Sequence, residues 1–465
     1  MNRAHPYMAN STPEAKQHML KAIGVGSVDE LFEQIPNQHI TTRRFDLPVP
    51  LDSEVELRRH LNETLGKNQT CEENLSFLGG GVWQHHVPAI CDEIWTRSEF
   101  LTSVWGTGSS DLGRNQAWFE YAGQLGELVG MDFVGLPVYS WGAAVGHSMR
   151  MAARMTGRNR ILVPELMDPQ RLDVARTYGG FPEQGGYLEI ISVGYNPVDG
   201  RLDLADLSGK LDHSVAAVYF ENPAYLGGIE SGAAEIARMA RAAGAETIAG
   251  VDPASLGVIA PPSQYGVDIA VGTTQPLGVH MNGGGGVGGF IATRDEERYA
   301  REYPTLQVSI TDTIEEGERA FGLALFQQSS YGSREDGKDW TGNSVYLWAI
   351  ANAAYMSVLG PTGFEELGRA ILRRSSYAAR LISSIPEITV RWPTGFFKEF
   401  VVGFDETGLS VSEVNRRLRS HGIFGGRDLS SDFPDLGQSA LYCVTEVHSV
   451  SDIDRLAAAL EEVTR

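Results

Sequence analysis

Short apolar runs, many of them rich in β-branched residues, recur through the middle of the chain, from about residue 75 to residue 300. Runs of this kind are typical of parallel strands that are buried on both faces. We predict such strands at 161–163, 188–193, 215–220, 247–251 and 269–271. A helix-like stretch at 233–243 lies between two of them and completes a strand–helix–strand unit of ordinary length. Repetition of this unit predicts an α/β fold with an open, mostly parallel sheet that is covered by helices.

Two helix signals mark the first 36 residues. A capping box begins at Ser11 and places Pro13 at the first helical position, and apolar residues follow at helical spacing until Gly24. A second capping box begins at Ser27 and precedes apolar residues that end at Pro36. We therefore predict two short helices that form an arm, whose apolar faces pack either on the body of the protein or on another chain.

Beyond residue 343 the pattern changes to a mixture of helices and short strands. Helices are predicted at 346–359, 364–385, 411–420 and 451–463, and strands at 389–392, 399–404 and 440–445. The first two helices are separated by a Gly-Pro pair that begins at Gly360. The chain is thus predicted to have three parts: a helical arm and lead-in at 1–70, a large α/β domain at 71–330, and a small α+β C-terminal domain at 331–465.

Composition narrows the possible partners and compartment. The 465 residues include 59 acidic and 38 basic side chains, which gives a formal charge of −21. Binding to nucleic acid or to an anionic membrane needs clustered Lys and Arg, and no basic run here is longer than a pair. No apolar stretch is long enough for a transmembrane helix, and the first residues lack the apolar core of a signal peptide. With three cysteines that cannot all pair, we expect a reduced, cytoplasmic setting.

Candidate chemistry lies where three predicted strands end. The first end carries Glu221 and Asn222, the second carries Asp252, and the third is followed by Gln275. This order matches the large domain of fold-type I enzymes that use pyridoxal phosphate (PLP). In that fold a strand-end Asp faces the pyridine nitrogen, and a Lys some twenty residues later forms the Schiff base. Two plainer interpretations stay open: Asp252 caps a helix that begins with Pro253, and Asn222 belongs to an ordinary turn.

The lysines decide whether the covalent anchor is present. The chain has six lysines: Lys16, Lys21, Lys67, Lys210, Lys338 and Lys398. None of them ends a strand after Asp252, where the Schiff-base lysine is needed, and the amide of Gln275 in that region cannot form an imine. The glycine run at 283–289 follows no predicted strand directly, so we expect no dinucleotide site there. The histidines show no metal-binding spacing. The sequence therefore predicts the layout of a PLP enzyme without its covalent anchor.

A family resemblance extends over nearly the whole chain. The chain resembles subunit 1, the alpha subunit, of the two-subunit glycine dehydrogenase (decarboxylating), which is the P-protein of the glycine cleavage system. The order and the spacing of the shared landmarks are both kept, which makes the set specific. The landmarks are His5-Pro6-Tyr7, 19–36, 77–92, 97–100, 128–132, Glu221-Asn222-Pro223, 252–257, 265–272, 275–286 and 443–446.

The resemblance implies a function that is shared between two subunits. In that family, subunit 2 carries the Schiff-base lysine and the PLP, and the two subunits pair through their PLP-type folds into an α2β2 heterotetramer. The assembly decarboxylates glycine and passes the aminomethyl group to the lipoyl arm of the H-protein, so the complex is an oxidoreductase of glycine catabolism. Subunit 1 has a Gln in place of the lysine, as Gln275 is here. The chain would then hold no PLP covalently, carry no catalytic residue of its own and be inactive alone.

Two segments, 102–111 and 138–143, depart from the family's pattern near the expected shared pocket. A divergent PLP lyase subunit that acts on another amino acid is therefore one alternative, and a purely structural partner of the PLP subunit is another. The loop 329–344 is rich in hydrogen-bond donors and lies at the junction of the two predicted domains, where fold-type I dimers often reach the partner's PLP phosphate. The candidate contacts to a pocket or to the partner's cofactor are Trp105, Ser109, Tyr139, Trp141, Glu221, Asn222, Asp252, Lys338, Thr341 and Asn343.

Overall fold

The computed structural model describes most of the chain, and its side chains with the exception of those at 108–113 and 323–324. The described residues are 4–5, 7–8, 10–41, 43, 45–100, 108–183, 185–281, 287–324, 333–334, 337–338, 341 and 345–465. Contacts divide the chain into two units, 1–69 and 70–465. The predicted boundary at 330/331, between a large domain and a C-terminal domain, stays a prediction.

Helices account for much of both units. They are α1 (Pro13–Ile23), α2 (Glu54–Leu65), α3 (Ala89–Trp95), α4 (Gly108–Val129), α5 (Trp141–Thr156), α6 (Pro169–Gly179), α7 (Leu204–Lys210), α8 (Ala233–Ala242), α9 (Glu297–Ala300), α10 (Tyr346–Ser383), α11 (Val411–Ser420) and α12 (Val450–Thr464). Most begin at a residue whose side chain accepts a hydrogen bond from the first turn, as Ser140 does from the backbone N–H of Ala143 in α5.

The strands all lie in the second unit. They are β1 (Leu75–Ser76), β2 (Phe133–Val134), β3 (Arg160–Pro164), β4 (Glu189–Val193), β5 (Val215–Glu221), β6 (Glu246–Val251), β7 (Ile269–Thr273), β8 (Gly289–Thr293), β9 (Gln307–Asp312), β10 (Arg319–Ala324), β11 (Thr389–Arg391), β12 (Glu399–Gly403), β13 (Ile423–Phe424), β14 (Arg427–Asp428) and β15 (Ser439–Cys443). The strand positions predicted from the apolar runs are confirmed to within one or two residues.

The large sheet is mostly parallel, as predicted. Among the described residues it has seven strands in the order β2-β8-β7-β6-β5-β3-β4. Strands β3 to β7 pair in parallel, and β8 and β2 close one edge in antiparallel register. Every residue of β5, β6 and β7 is buried, which explains why these strands appear in the sequence as uninterrupted apolar runs. The carboxyl ends of the three central strands therefore meet at one edge of the sheet.

Side chains alternate between two apolar layers on either side of the large sheet. Val218 and Phe220 of β5 pack into one layer, whereas Ala217 and Tyr219 pack into the other. Helix α5 lies across β5 to β8 on the second side and also packs against α6. This arrangement fixes the N-terminal ends of α5 and α6 next to the strand ends, where the candidate residues lie.

The C-terminal sheet, β11-β12-β15-β14, is antiparallel. It packs with α11 and α12 around a third apolar cluster. The break predicted in the long helix is confirmed: α10 runs as two helical parts, and Gly360 between them has a φ of 57°, which suits glycine. No helix within the described ranges is both long enough and apolar enough to cross a membrane.

The N-terminal unit differs from the rest in its burial, because none of its described residues is buried. Only the first of the two predicted arm helices is an α-helix. The second prediction was wrong: residues 29–32 form a single 3₁₀ turn, although the backbone N–H of Glu30 still donates to the hydroxyl of Ser27. Gly26 and Pro36 leave too short a segment for α-helix nucleation. Helix α2, which the sequence analysis did not predict, follows at Glu54–Leu65.

Candidate functional site

The predicted strand ends form a buried, charged cluster at the edge of the large sheet. Glu221 is the last residue of β5, Asp252 directly follows β6, and Gln275 lies two residues beyond β7. Each of the three is at most 4 % exposed. Since carboxylates are rarely buried without a partner, the cations that neutralise them define what the site can hold. Trp83, Trp141, Arg171 and Lys398 surround Glu221 and Asp252.

Lys398 neutralises Asp252. Its Nζ lies 2.7 Å from Oδ2 of Asp252, and both side chains are at most 5 % exposed. The same Nζ is 3.0 Å from Nε2 of His85 and 3.4 Å from the centre of the Trp83 ring. The ammonium thus has a carboxylate, an imidazole nitrogen and an aromatic face around it. Asp252 also caps the 3₁₀ helix Pro253–Ser255, so the plainer interpretation of the Asp-Pro pair is confirmed too.

His85, which contacts Lys398, contacts a further carboxylate, that of Glu446. Nδ1 of His85 lies 2.9 Å from a carboxylate oxygen of Glu446, and the backbone N–H of His86 donates to the other oxygen at 2.7 Å. Burial alone would raise the pKa of Glu446, but the adjacent His85 and the N–H of His86 outweigh it and lower the pKa to about 2. Glu446 is therefore ionised across the whole physiological range, and His85 is held between a carboxylate and an ammonium.

Arg171 neutralises Glu221 at the end of β5, as Lys398 neutralises Asp252. The Arg171 side chain comes from the first turn of α6 and donates to Oε1 of Glu221, to which the Tyr219 hydroxyl also donates, at 2.6 Å. A carboxylate oxygen of Asp168 lies 3.6 Å from its other guanidinium nitrogen. The guanidinium stacks on the indole of Trp141, with 3.7 Å between its central carbon and the ring centre. A plane of the size of a pyridine ring could not share that face of the indole.

Gln275 makes a local contact rather than one across the site. Its Nε2 donates to the backbone carbonyl of Val279 at 2.9 Å. Asn352 of α10 fixes the same loop, because its amide donates to the carbonyls of Thr274 and Leu277. The Gln275 side chain is thus turned back onto its own loop.

Glu399, the neighbour of Lys398, is a second buried carboxyl group. Its Oε1 accepts a hydrogen bond of 2.6 Å from the backbone N–H of Gly80. Burial, which the Lys398 cation opposes only in part, raises the pKa of Glu399 to about 7. The group is therefore half-protonated near neutral pH.

These residues do not fit PLP. The Asp252 carboxylate that would face a pyridine nitrogen is already paired with an ammonium, and the Trp141 face that could carry a ring carries the Arg171 guanidinium. The cavity left between the side chains is about 10 Å³, which is room for at most one water molecule. The position between Glu221 and Asp252 is therefore filled by side chains, while a cleft of about 420 Å³ opens beside it along Trp83, Trp141 and Arg171. No reaction step is assigned to the filled position.

Of the other predicted residues, Asn222 and Tyr139 lie beside the cluster without joining it. Asn222 accepts a hydrogen bond from the backbone N–H of Glu230 through Oδ1 and lies in a bend directly after β5, so the turn interpretation is confirmed. Tyr139 is half exposed, and its carbonyl accepts from the N–H of Gly288. Their roles toward a ligand stay predictions.

Lys338 and Thr341 make contacts within this chain. Nζ of Lys338 lies 2.5 Å from a carboxylate oxygen of Glu302. Thr341 is buried, and its hydroxyl lies 3.0 Å from Nε2 of His147 on α5. Their predicted contact with the partner's cofactor stays a prediction. Trp105 and Asn343 lie outside the described residues, and Ser109 belongs to α4 but its side chain is likewise outside them.

The sequence analysis missed the residues that close the site. Lys398 was named only as one of six lysines, none of which ends a predicted strand where the Schiff-base lysine is needed, and Arg171, His85 and Glu446 were not candidates. One signal could have found the lysine: Lys398 and Glu399 interrupt the apolar stretch 396–402, so their charges had to be buried and paired. No comparable signal marks Arg171.

Comparisons with known proteins agree along the whole chain. Residues 6–460 match the family model of the glycine cleavage system P-protein. A probable glycine dehydrogenase (decarboxylating) subunit 1 from Staphylothermus marinus is 36% identical, with 99% of this chain and 98% of that protein covered. The protein of the same description from Pyrococcus furiosus is also 36% identical, with 98% and 99% covered.

Solved structures support the same relationship. A crystal structure of glycine decarboxylase (P-protein) of the glycine cleavage system, in inhibitor-bound form, superimposes with a TM-score of 0.88, at 31% identity and with 99% of this chain and 100% of that chain covered. A sphingosine-1-phosphate lyase from Burkholderia pseudomallei, 15% identical, shares the fold with a TM-score of 0.65, over 90% of this chain and 92% of that one. The predicted fold-type I architecture is thereby confirmed, and the chain belongs to the glycine cleavage system P-protein family.

Proposed function

We propose that this chain is the lysine-less subunit 1 of a two-subunit, cytoplasmic glycine decarboxylase. The observation that carries the proposal is the end-to-end similarity to proteins described as subunit 1, together with a strand-end site that has Gln275 and whose position between Glu221 and Asp252 is filled by side chains. A subunit of this kind needs a partner that holds the cofactor. When bound there, PLP supplies the electron sink that decarboxylation of an amino acid needs.

The partner in this proposal is glycine dehydrogenase subunit 2, in an α2β2 heterotetramer, and the acceptor is the lipoyl group of the H-protein. The N-terminal unit supports a partner-dependent assembly, since its apolar residues are exposed in the single chain. Examples are Phe45, Leu47, Val49 and Val55, each more than two-thirds exposed. Contiguous apolar patches on soluble proteins usually mark interaction sites.

Within the assembly, this chain's residues bind and position, and none of them reacts. Thr341 and Asn343 are proposed to lie near the PLP phosphate of subunit 2, where a hydroxyl and an amide can donate hydrogen bonds to it. Lys338 adds a cation to the same loop, although its present partner is Glu302. Trp105 and Ser109 belong to the segment 102–111, which is proposed to line the shared pocket.

Co-expression with the candidate subunit 2 tests the function. We expect a stable complex that contains PLP and exchanges bicarbonate with the carboxyl group of glycine when lipoylated H-protein is present. Each chain alone should show no exchange. Turnover of another amino acid instead of glycine would favour the divergent lyase, and activity of subunit 2 alone would favour a purely structural role for this chain.

A further inference from the structure

Two buried cations take the positions that a cofactor would need at the strand ends. We infer that Lys398 and Arg171 substitute for PLP in this subunit: they neutralise the strand-end carboxylates, fill the ring position and tie the C-terminal sheet to the large sheet without a ligand. The inference concerns this chain's own site and does not depend on which amino acid the assembled enzyme uses.

The buried carboxylate of Asp252 has its counter-ion within this chain. Asp252 is 3 % exposed and its side chain follows β6 at the carboxyl edge of the sheet. A carboxylate at that depth needs a cation, and the Lys398 ammonium at 2.7 Å supplies it. Lys398 also contacts Nε2 of His85 and the face of Trp83, so its ammonium is held on three sides. The lysine therefore serves as a fixed counter-ion and not as a free amine.

The Arg171 side chain occupies the space beside Trp141. The Arg171 guanidinium is a flat cation that lies 3.7 Å from the ring centre of Trp141, at a stacking distance. Trp83 also lines the centre of the site, which keeps a cavity of only about 10 Å³. The neighbouring cleft, which the same two indoles and Arg171 line, is about 420 Å³. The filling is thus confined to the position between the strand ends.

Lys398 also links the C-terminal sheet to the large sheet. Lys398 directly precedes β12 of the C-terminal sheet, and its carbonyl accepts a hydrogen bond from the N–H of Val444, just beyond β15. Its side chain crosses to Asp252 at the end of β6 in the large sheet. One buried ion pair therefore joins the two sheets at the place where a ligand would otherwise lie between them.

The inference predicts that Gln275→Lys alone does not open the site. We would expose the full-length purified chain to PLP, reduce it with borohydride and quantify labelled peptide by mass spectrometry. Adding Lys398→Met and Arg171→Met to Gln275→Lys should increase the label at position 275 at least tenfold. The matched control adds Lys210→Met and Arg160→Met, which remove two ion-paired cations that line neither the filled position nor the cleft beside it, and should give no increase.

Two results would overturn the inference. One is equal labelling of position 275 in Gln275→Lys and in the opened triple variant. The other is a folded triple variant that is no better labelled than its control. Binding that does not involve an imine is measured separately, from the shift in melting temperature that pyridoxine 5′-phosphate causes, because this compound has no aldehyde. It should raise the melting temperature of the Lys398→Met/Arg171→Met chain and leave that of the natural chain unchanged.

A second set of variants covers the case in which the opened chain does not fold. Lys398→Met should lower the urea midpoint of unfolding, because it leaves Asp252 without its cation, and adding Asp252→Asn should restore at least half of the loss. Arg298→Met, which removes the cation from Glu246 at the other end of β6, should not be rescued by Asp252→Asn. Failure of Asp252→Asn to rescue Lys398→Met would show that the lysine is not the counter-ion of that carboxylate.

Discussion

The strand-end site buries charged side chains, whereas the N-terminal unit exposes apolar ones. At the strand ends, charged side chains are buried, and each carboxylate has a cation or a backbone N–H within the same chain. In the unit 1–69, apolar side chains such as Phe45 and Val49 are exposed, and no described residue is buried. The chain pairs the charges of its strand-end site by itself, whereas the described apolar residues of its N-terminal unit are left exposed. We propose that a partner chain covers them.

Deletion of residues 1–36 should have the largest effect, on assembly. Burial of an apolar side chain contributes roughly 1.5–3 kcal/mol, so loss of even two such contacts should weaken binding to subunit 2 by about two decades or more. Size-exclusion chromatography of the mixed subunits at several concentrations measures this. An unchanged elution profile would mean that the arm packs on its own chain.

Point variants on α1 sharpen that experiment. Ile23 is 60 % exposed and closes the helix, and Lys21 is a neighbouring exposed polar residue. Ile23→Ser should reproduce part of the loss, whereas Lys21→Ser on the same helix should leave assembly unchanged. Equal effects of the two substitutions would point to helix stability rather than to apolar contact.

Glu399 gives the strand-end region a pH dependence of defined sign. Its pKa is raised from 4.5 to about 7 in the folded chain. The folded state therefore binds the proton more tightly than the unfolded one, and this stability is complete below about pH 4.5 and is lost as the pH rises through 7. Glu399→Gln, which keeps an acceptor for Gly80, should escape that loss.

The free energy of unfolding of Glu399→Gln, relative to the natural chain, should rise across that window by up to about 3 kcal/mol, since one pKa unit corresponds to about 1.4 kcal/mol. Urea unfolding at a series of pH values measures it. Glu446 does not interfere, because its pKa is lowered to about 2 and its contribution is lost only in acid. A difference that does not vary between pH 5 and pH 8 would contradict the assignment.

Substitutions in the loop 329–344 test whether a segment other than the N-terminal unit contacts the partner. Thr341→Ala and Asn343→Ala should each weaken PLP retention by the complex by one to two decades, because a hydrogen bond to a charged group contributes roughly 1.5–3 kcal/mol. Thr341→Ser keeps the hydroxyl and is the matched control. PLP dissociation constants that are equal in all complexes would remove the loop from the shared site. In that case the Thr341 hydroxyl serves only its contact with His147.

The sheet could be predicted from the sequence because its cause is local. Strands β5, β6 and β7 are buried on both faces, so the apolar runs at 215–220, 247–251 and 269–271 mark them directly. The break at Gly360 was also visible, since glycine followed by proline interrupts a helix by backbone geometry alone. The missing anchor at Gln275 followed from the residue types and their order.

The closed state of the site could not be predicted, because it depends on contacts between distant segments. Lys398 reaches Asp252 only after the C-terminal sheet has packed on the large one, and Arg171 reaches Glu221 through a helix that begins elsewhere in the chain. An Asp at a strand end has the same local sequence whether it faces a cofactor or an ammonium. The helical prediction for 27–36 failed for a related reason: a capping box specifies where a helix begins, not that the segment is long enough to sustain one.

The smallest effect is expected for an exposed ion pair of the N-terminal unit, which we compare with the buried pair at the strand ends. Arg58 and Glu54 form an i,i+4 pair on α2 of the N-terminal unit, with the two side chains 72 % and 86 % exposed. Water and salt screen such a pair, so Arg58→Met should change the free energy of unfolding by about 0.5 kcal/mol or less. Lys398→Met removes the cation from a buried pair, for which the expected loss is about 3–5 kcal/mol. Urea unfolding of both variants at low salt and in 0.5 M salt, a roughly threefold rise over physiological ionic strength, measures the contrast. Salt should erase the Arg58 effect and leave that of Lys398 nearly unchanged. A Lys398 effect that salt removes would mean that water reaches Asp252, and that the strand-end site is open.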